Sequence, residues 1–181
     1  YRPGTKLYFS LMYSIFWLNQ TVYHLVSFIL HFAVGVLFFF ISKRILKNYF
    51  LSVVCASLFL ILSGYQEAVF WISSTGFLFN AFFALLSMLS FIFWREKGKK
   101  IYLIIAFIFI ICGLMFHELG VIAPLFIVAY DLIFRDSFNK TPRKIYLLLF
   151  VPVLTYLILR FFANSHWFSG DYNYNLLKLP F

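Results

Sequence analysis

Acidic side chains are scarce in this sequence. Its 181 residues hold six Asp and Glu against 15 Lys and Arg, and charged residues of both signs make up only 12%. A water-soluble domain of this length needs more polar surface than that to cover its core, which argues against a soluble globular domain. Glycine occurs 8 times, scattered, and no Gly cluster opens a helix after a strand. There is neither a P-loop nor a GxGxxG fingerprint, so nothing here reads as a nucleotide cradle. The two cysteines, Cys55 and Cys112, form no CxxC and sit inside apolar runs. They read as small buried hydrophobes and say nothing of redox compartment. No Ser/His/Asp order suggests a hydrolase triad. His117-Glu118 opens like a zinc-protease helix, but that motif needs a second His four residues on, where Val121 stands. A metalloprotease is excluded.

What the sequence has is apolar bulk. Hydrophobic residues make up 64% and aromatics 24%, with 27 Phe. Such a chain dissolves in lipid. The net charge of +9 does not point to nucleic acid, because the basic residues sit in short clusters between long apolar runs. A helix of about 20 residues crosses a hydrocarbon core of about 30 Å. Six runs approach that length: 22–42, 48–63, 71–94, 101–116, 119–134 and 145–162. Helices are expected, since each satisfies its own backbone in lipid, and the alternation of barrel strands is missing. The stretch 101–134 is too long for one crossing. It is expected to break near residues 116–120, where His, Glu and Gly cluster.

The basic clusters set the orientation. Lys43, Arg44 and Lys47 follow the first run. Arg95, Lys97, Lys99 and Lys100 follow the third, and Arg135, Lys140, Arg143 and Lys144 follow the fifth. All fall on one side of a six-span bundle, which the positive-inside rule makes cytoplasmic. Glu67, Glu118 and Asp171 then lie on the opposite, outer side. Residues 6–18 are apolar, aromatic and short, and read as a helix in the outer interface. Residues 163–181 read as an outer-side tail. One membrane-embedded bundle over 1–181 is the simplest domain reading. The chain starts at Tyr1 without a Met or a signal peptide, and reads as a piece of a longer protein.

Several polar residues stand out on the outer side. Glu67 and Gln66 occupy the turn 64–70 with Tyr65 beside them and Trp71 just after. Glu67 is either an acid, base or cation-binding group in an outward pocket, or an interfacial carboxylate in water. His117 and Glu118 are either a second wall of that cavity or a polar turn leaving the lipid. Arg2 and Arg160 are phosphate or carboxylate clamps, or arginines that snorkel to headgroups. His24 and His31 lie seven apart on one helix face and either face a polar interior or bond across helices. His24, near the outer end, is the better site candidate. Asp131 reads as an ion pair or cap at the inner interface. Trp71 and Tyr65 could stack on a sugar ring or simply anchor the interface.

Taken in order, these pieces resemble a known family. Tyr1-Arg2-Pro3 precedes a short apolar helix, then come Tyr23-His24-Leu25 with Leu30-His31, then Gln66-Glu67-Ala68-Val69-Phe70-Trp71-Ile72-Ser73, then Glu118 with Pro124, Tyr130-Asp131, and Tyr156 through Arg160. The series is similar to the membrane half of the GT-C glycosyltransferases, closest to the tetratricopeptide-associated protein O-mannosyltransferase type and its bacterial relatives. The likeness covers residues 1–162. The chain departs from the family at Ser63-Gly64, where the family has His-Pro, at His117, where it has Lys, and at Ser27, where it has Asn.

The resemblance implies an all-α polytopic transmembrane helix bundle, GT-C-like, in a bacterial inner membrane. It implies transfer of a sugar from a polyprenyl-phosphate donor to a protein or glycan acceptor on the extracytoplasmic face. Glu67 is the expected catalytic-pocket carboxylate. Arg2, His24, Tyr65, Gln66, Trp71, His117, Glu118 and Arg160 are the expected substrate-binding set. The family's central catalytic Asp is expected upstream of Tyr1, so the piece alone is expected to be inactive. No cofactor and no metal ligand is assigned, and a divalent metal stays open. Two other classes compete with the enzyme: a transporter or flippase of a lipid-linked or small solute, and a non-catalytic membrane scaffold. The polar groups sit at the outer ends of the runs and not at the midplane, which favours an interfacial enzyme over a transporter.

Overall fold

The computed structural model describes residues 2–62, 64, 66–134 and 142–162. Among them every regular element is a helix. Eight α-helices follow in order: α1 Pro3–Phe16, α2 Gln20–Leu46, α3 Tyr49–Ile61, α4 Gln66–Phe70, α5 Thr75–Lys97, α6 Lys100–Phe116, α7 Ala123–Ile133 and α8 Arg143–Phe162. Tight 3-10 turns, Ile72–Ser74 and Glu118–Ile122, lead into α5 and α7.

Local chemistry sets many of these boundaries. The Asn48 side chain accepts from the Leu51 N–H at 3.1 Å and caps α3. Pro124 stands in the first turn of α7, where its missing N–H costs nothing. Lys43 and Arg44 close α2, and Arg95 and Lys97 close α5, placing positive charge at the negative end of each helix dipole. Gly98 takes the left-handed conformation, with φ 68°, just past α5.

The bundle exposes large apolar side chains and buries several hydroxyls among its helices. Phe50, Ile61, Leu147 and Phe162 are exposed, whereas Ser27, Ser52, Thr75 and Ser87 are fully buried. Their hydroxyls are held largely by backbone carbonyls: Ser52 donates to the Asn48 carbonyl and Ser87 to the Ala84 carbonyl. Ser27 and Thr75 bond each other across α2 and α5 at 3.2 Å. Polar groups inside and apolar groups outside suit a lipid solvent. The apolar core joins α5, α6, α7 and α8 through Phe91, Ile110, Leu114, Ile127 and Leu149.

Among the described residues, three stretches are long and apolar enough to cross a membrane: Gln20–Leu46, Ile72–Lys97 and Arg143–Phe162. α6 is apolar over 17 residues and α3 over 13, and α7 has 11. The runs expected at 48–63 and 119–134 are therefore shorter as helices than as hydrophobic sequence. In the second, residues 118–122 are spent in a tight turn before Pro124 starts α7. The turn expected at 64–70 carries a helix of its own, α4. The outer tail expected at 163–181 lies outside the described residues, as does Tyr65.

Polar contacts gather at the two ends of the bundle. At one end Arg44 pairs with Glu96, and Arg95 Nε meets Asp131 Oδ1 at 2.9 Å. Tyr146 donates to the other Asp131 oxygen. These tie α2 to α5, and α7 to both α5 and α8. At the opposite end α1 docks on α6. The Thr5 hydroxyl donates to the Phe116 carbonyl at 2.7 Å, and a Cβ added to Gly4 would stand 3.0 Å from the Met115 carbonyl oxygen. A side chain at position 4 would press on the end of α6, which the missing Cβ of glycine avoids.

Candidate functional site

The docking of α1 decides where Arg2 stands. Because Gly4 and Thr5 press against the end of α6, Arg2 meets the residue that begins the next turn. Arg2 Nε donates to Glu118 Oε2 at 2.9 Å, and Nη2 donates to Oε1 at 2.8 Å. This is a two-pronged guanidinium–carboxylate pair, the geometry that holds both groups in one orientation. Arg160, near the end of α8, approaches the same carboxylate at 3.9 Å, and its Nη1 donates to the Tyr156 hydroxyl at 3.2 Å. Arg2, Glu118 and Arg160 lie 42 or more residues apart in sequence and meet at one point.

His117 sits directly behind this pair. It leaves α6 in an extended conformation, and its Nδ1 accepts from the Leu119 N–H at 3.1 Å. The neutral ring therefore carries its proton on Nε2, which is buried with no hydrogen-bond partner among the described residues. The ring packs on Phe77 with centroids 4.0 Å apart and is only 4% exposed. Burial pushes the imidazole down to about 4, and the nearby Arg2 charge pushes the same way. The Glu118 carboxyl is held down to about 2, chiefly by the Arg2 hydrogen bond, and the same bond raises the Arg2 guanidinium. At neutral pH the cluster holds two guanidiniums, one carboxylate and one uncharged imidazole.

An apolar groove of about 640 Å³ runs between α6 and α8, with Arg160 in its lining. Phe107, Ile111 and Val151 line its length, and Pro3, Tyr156 and Arg160 line its polar end. The shape suits a long apolar chain with an anionic head.

Glu67 stands elsewhere. It is exposed on α4, and no cation or hydrogen bond holds it among the described residues. It lies at a second groove, of about 620 Å³, whose wall includes His31, Phe38, Asn80, Met88 and Phe126. Of the residues expected on the outer face, Arg2 and Glu118 touch, and Glu67 does not join them. The reason is the turn Glu118–Ile122, which sends Glu118 toward the guanidiniums and places Leu119 and Ile122 in the wall of the other groove. Gln66 and Trp71 are exposed beside Glu67. His24 is half-buried on α2, and its Nδ1 has no partner among the described residues. His31 bonds across helices to the Leu60 carbonyl at 3.3 Å, the structural role that such a residue commonly has.

Sequence reasoning passed over Asn80, Thr5 and Phe77. Asn80 had a signal, being a carboxamide in the middle of an apolar run. Thr5 and Phe77 had none, because their importance comes only from what packs against them. No group of three or more His, Cys, Asp or Glu placed to hold a metal ion occurs among the described residues. No family model, curated protein or solved structure matches this chain.

Proposed function

We propose that the chain is the membrane-embedded part of a glycosyltransferase that moves a sugar from a polyprenyl-phosphate donor to an acceptor on the extracytoplasmic face. The observation that carries this reading is that Arg160, which lines the groove between α6 and α8, lies 3.9 Å from the Glu118 carboxylate that also holds Arg2. An isoprenoid chain fits the apolar length of that groove, and a phosphate fits the guanidinium end. In this reading the bundle crosses the membrane six times, with α3, α6 and α7 as short or partial crossings at a thinned site. The basic ends of α2 and α5 face the cytoplasm.

The chemistry follows from the charges. A carboxylate base takes the proton of an acceptor hydroxyl as its oxygen attacks the anomeric carbon. The departing lipid phosphate gathers negative charge, and Arg2 and Arg160 stabilise it. Glu118 fixes Arg2 in place through two hydrogen bonds, so that little reorganisation accompanies the reaction. Glu67, a carboxylate at the neighbouring groove without an ion-pair partner among the described residues, orients the sugar or the acceptor.

Sugar transfer from a polyprenyl-phosphate donor in membranes tests the proposal, with the complete gene product as parent. Arg160→Ala is expected to lower turnover by about 10²-fold or more, the scale seen when one charge-stabilising donor is removed. Arg160→Lys is expected to recover only part of the loss, because a point charge cannot replace the planar fork. Parent turnover in both Arg160→Ala and Glu67→Gln would refute the site assignment.

A further inference from the structure

The end of the bundle opposite the Arg2 cluster carries an unbalanced positive charge. Lys97, Lys99 and Lys100 crowd the link from α5 to α6, and all three are exposed. The acids described at this end already have partners: Glu96 pairs with Arg44, and Asp131 takes Arg95 and Tyr146. No ion pair holds any of the three lysines among the described residues. Lys97 is nevertheless fixed in place. Its Nζ donates to the Tyr102 hydroxyl at 3.3 Å and stands 5.0 Å from the centre of the Phe93 ring. The Arg44 guanidinium stands over the same ring, at 4.2 Å. One aromatic ring thus draws cations from α2 and α5 together, and like charges so close repel. An anion seated among them offsets that repulsion.

Apolar surface begins directly past the lysines. Ile101, Ile104 and Ile108 are exposed on α6. Ile104 and Ile108 follow Lys100 by four and eight residues, so they lie along its face of the helix. Cations at the head of an exposed apolar stripe match an amphiphile with an anionic head. We propose that the α5–α6 link binds an anionic phospholipid. Lys97, Lys99 and Lys100 hold its phosphate, and its acyl chains lie along Ile104 and Ile108. A soluble polyanion such as a nucleic acid would use the lysines and leave the stripe uncovered, whereas a phospholipid uses both. Lysine suits the place, because its flexible apolar stem lets the charge reach headgroup depth. Such a site needs the bundle to lie in a bilayer but needs no sugar transfer.

The test places the full chain in phosphatidylcholine nanodiscs with a small fraction of phosphatidylglycerol that carries a photoreactive diazirine in its acyl chain. Phosphatidylcholine with the same diazirine is the reference. Labelling of Ile104 and Ile108, mapped by mass spectrometry, is expected to be at least about tenfold heavier with the glycerol lipid. A lysine near an anionic headgroup is worth about fivefold in binding, so Lys97→Gln should cut that ratio by about fivefold. Lys97→Gln, Lys99→Gln and Lys100→Gln combined should bring it to parity. All three side chains are exposed, so the fold is retained, and arginine at the same three positions should keep the ratio. Arg143→Gln with Lys144→Gln, at the start of α8, should lower it less than Lys97→Gln alone. Equal labelling by the two lipids, or an undiminished ratio in the triple Gln variant, would overturn the proposal. So would a larger loss from the α8 pair than from the triple variant. Loss of the label on adding a short single-stranded DNA at the phosphatidylglycerol concentration would overturn it too, by assigning the lysines to a soluble polyanion.

Discussion

At the scale of single residues, His117 and Glu118 show how two neighbours are driven to opposite ionisation behaviour. The imidazole is buried against Phe77 and stays neutral down to about 4, whereas its ordinary value is 6.5. Between those values the unfolded chain binds a proton that the folded chain does not. Stability therefore falls as pH is lowered from 6.5 toward 4. His117→Asn keeps an acceptor for the Leu119 N–H but cannot titrate. Its melting temperature, followed in nanodiscs against pH, is expected to fall less steeply across that window than the parent's. Glu118 has linkage of the same sign in a lower pH window. Its folded value is depressed to about 2 from 4.5, so its contribution is complete above 4.5 and is lost as pH drops toward 2. Both partners of the Arg2–Glu118 pair are more than a third exposed. A double-mutant cycle with Arg2→Ala and Glu118→Ala should give a coupling of only about 0.5–1 kcal/mol in stability. Any larger effect on sugar transfer would then come from charge stabilisation and not from folding.

The element that organises the site is the short turn Glu118–Ile122. It converts a long hydrophobic stretch into α6 and α7 and faces both grooves. Gly120 is its tightest point. A Cβ there would stand 2.9 Å from the Leu114 backbone nitrogen and 3.0 Å from the Asn80 carboxamide oxygen. The backbone atom cannot move aside as a flexible side chain would. Gly120→Ala is expected to destabilise the bundle by about 1–3 kcal/mol, as overpacking does, measured by thermal unfolding or denaturant titration. Because the strain acts on the turn, the Arg2–Glu118 contact should weaken with it. Crosslinking between cysteines placed at positions 2 and 118 should fall in Gly120→Ala relative to the same pair in the parent.

For the whole molecule, polar contacts tie the helices at both ends. The buried one is Asp131, 1% exposed, which receives Arg95 from α5 and Tyr146 from α8. Removing one member of a buried charge pair strands the other, at a cost of about 3–5 kcal/mol. Asp131→Ala is expected to lose stability on that scale by chemical denaturation in detergent. Arg44→Ala, which breaks the more exposed pair with Glu96, should cost about 1 kcal/mol or less. Equal losses in the two variants would contradict a buried tie at Asp131.

Much of the bundle was legible without coordinates. Low charge and long apolar runs determined that the chain is helical, because a backbone in lipid must bond within its own segment. The run 101–116 corresponds closely to α6, and the break near 116–120 falls where His117, Glu118 and Gly120 interrupt the apolar pattern. Hydrophobicity could not reveal that α3 and α7 stop short, since an apolar residue in a turn reads the same as one in a helix. It singled out Arg2, Glu118 and Arg160 as candidates for one face of the membrane. Only tertiary structure decided that these three touch, that Glu67 belongs to a different groove, and that Asn80 lines it. The physical reason is packing: Gly4 lets α1 approach α6 and swings Arg2 onto Glu118, while Gly120 folds the next turn so tightly that its two sides face separate sites.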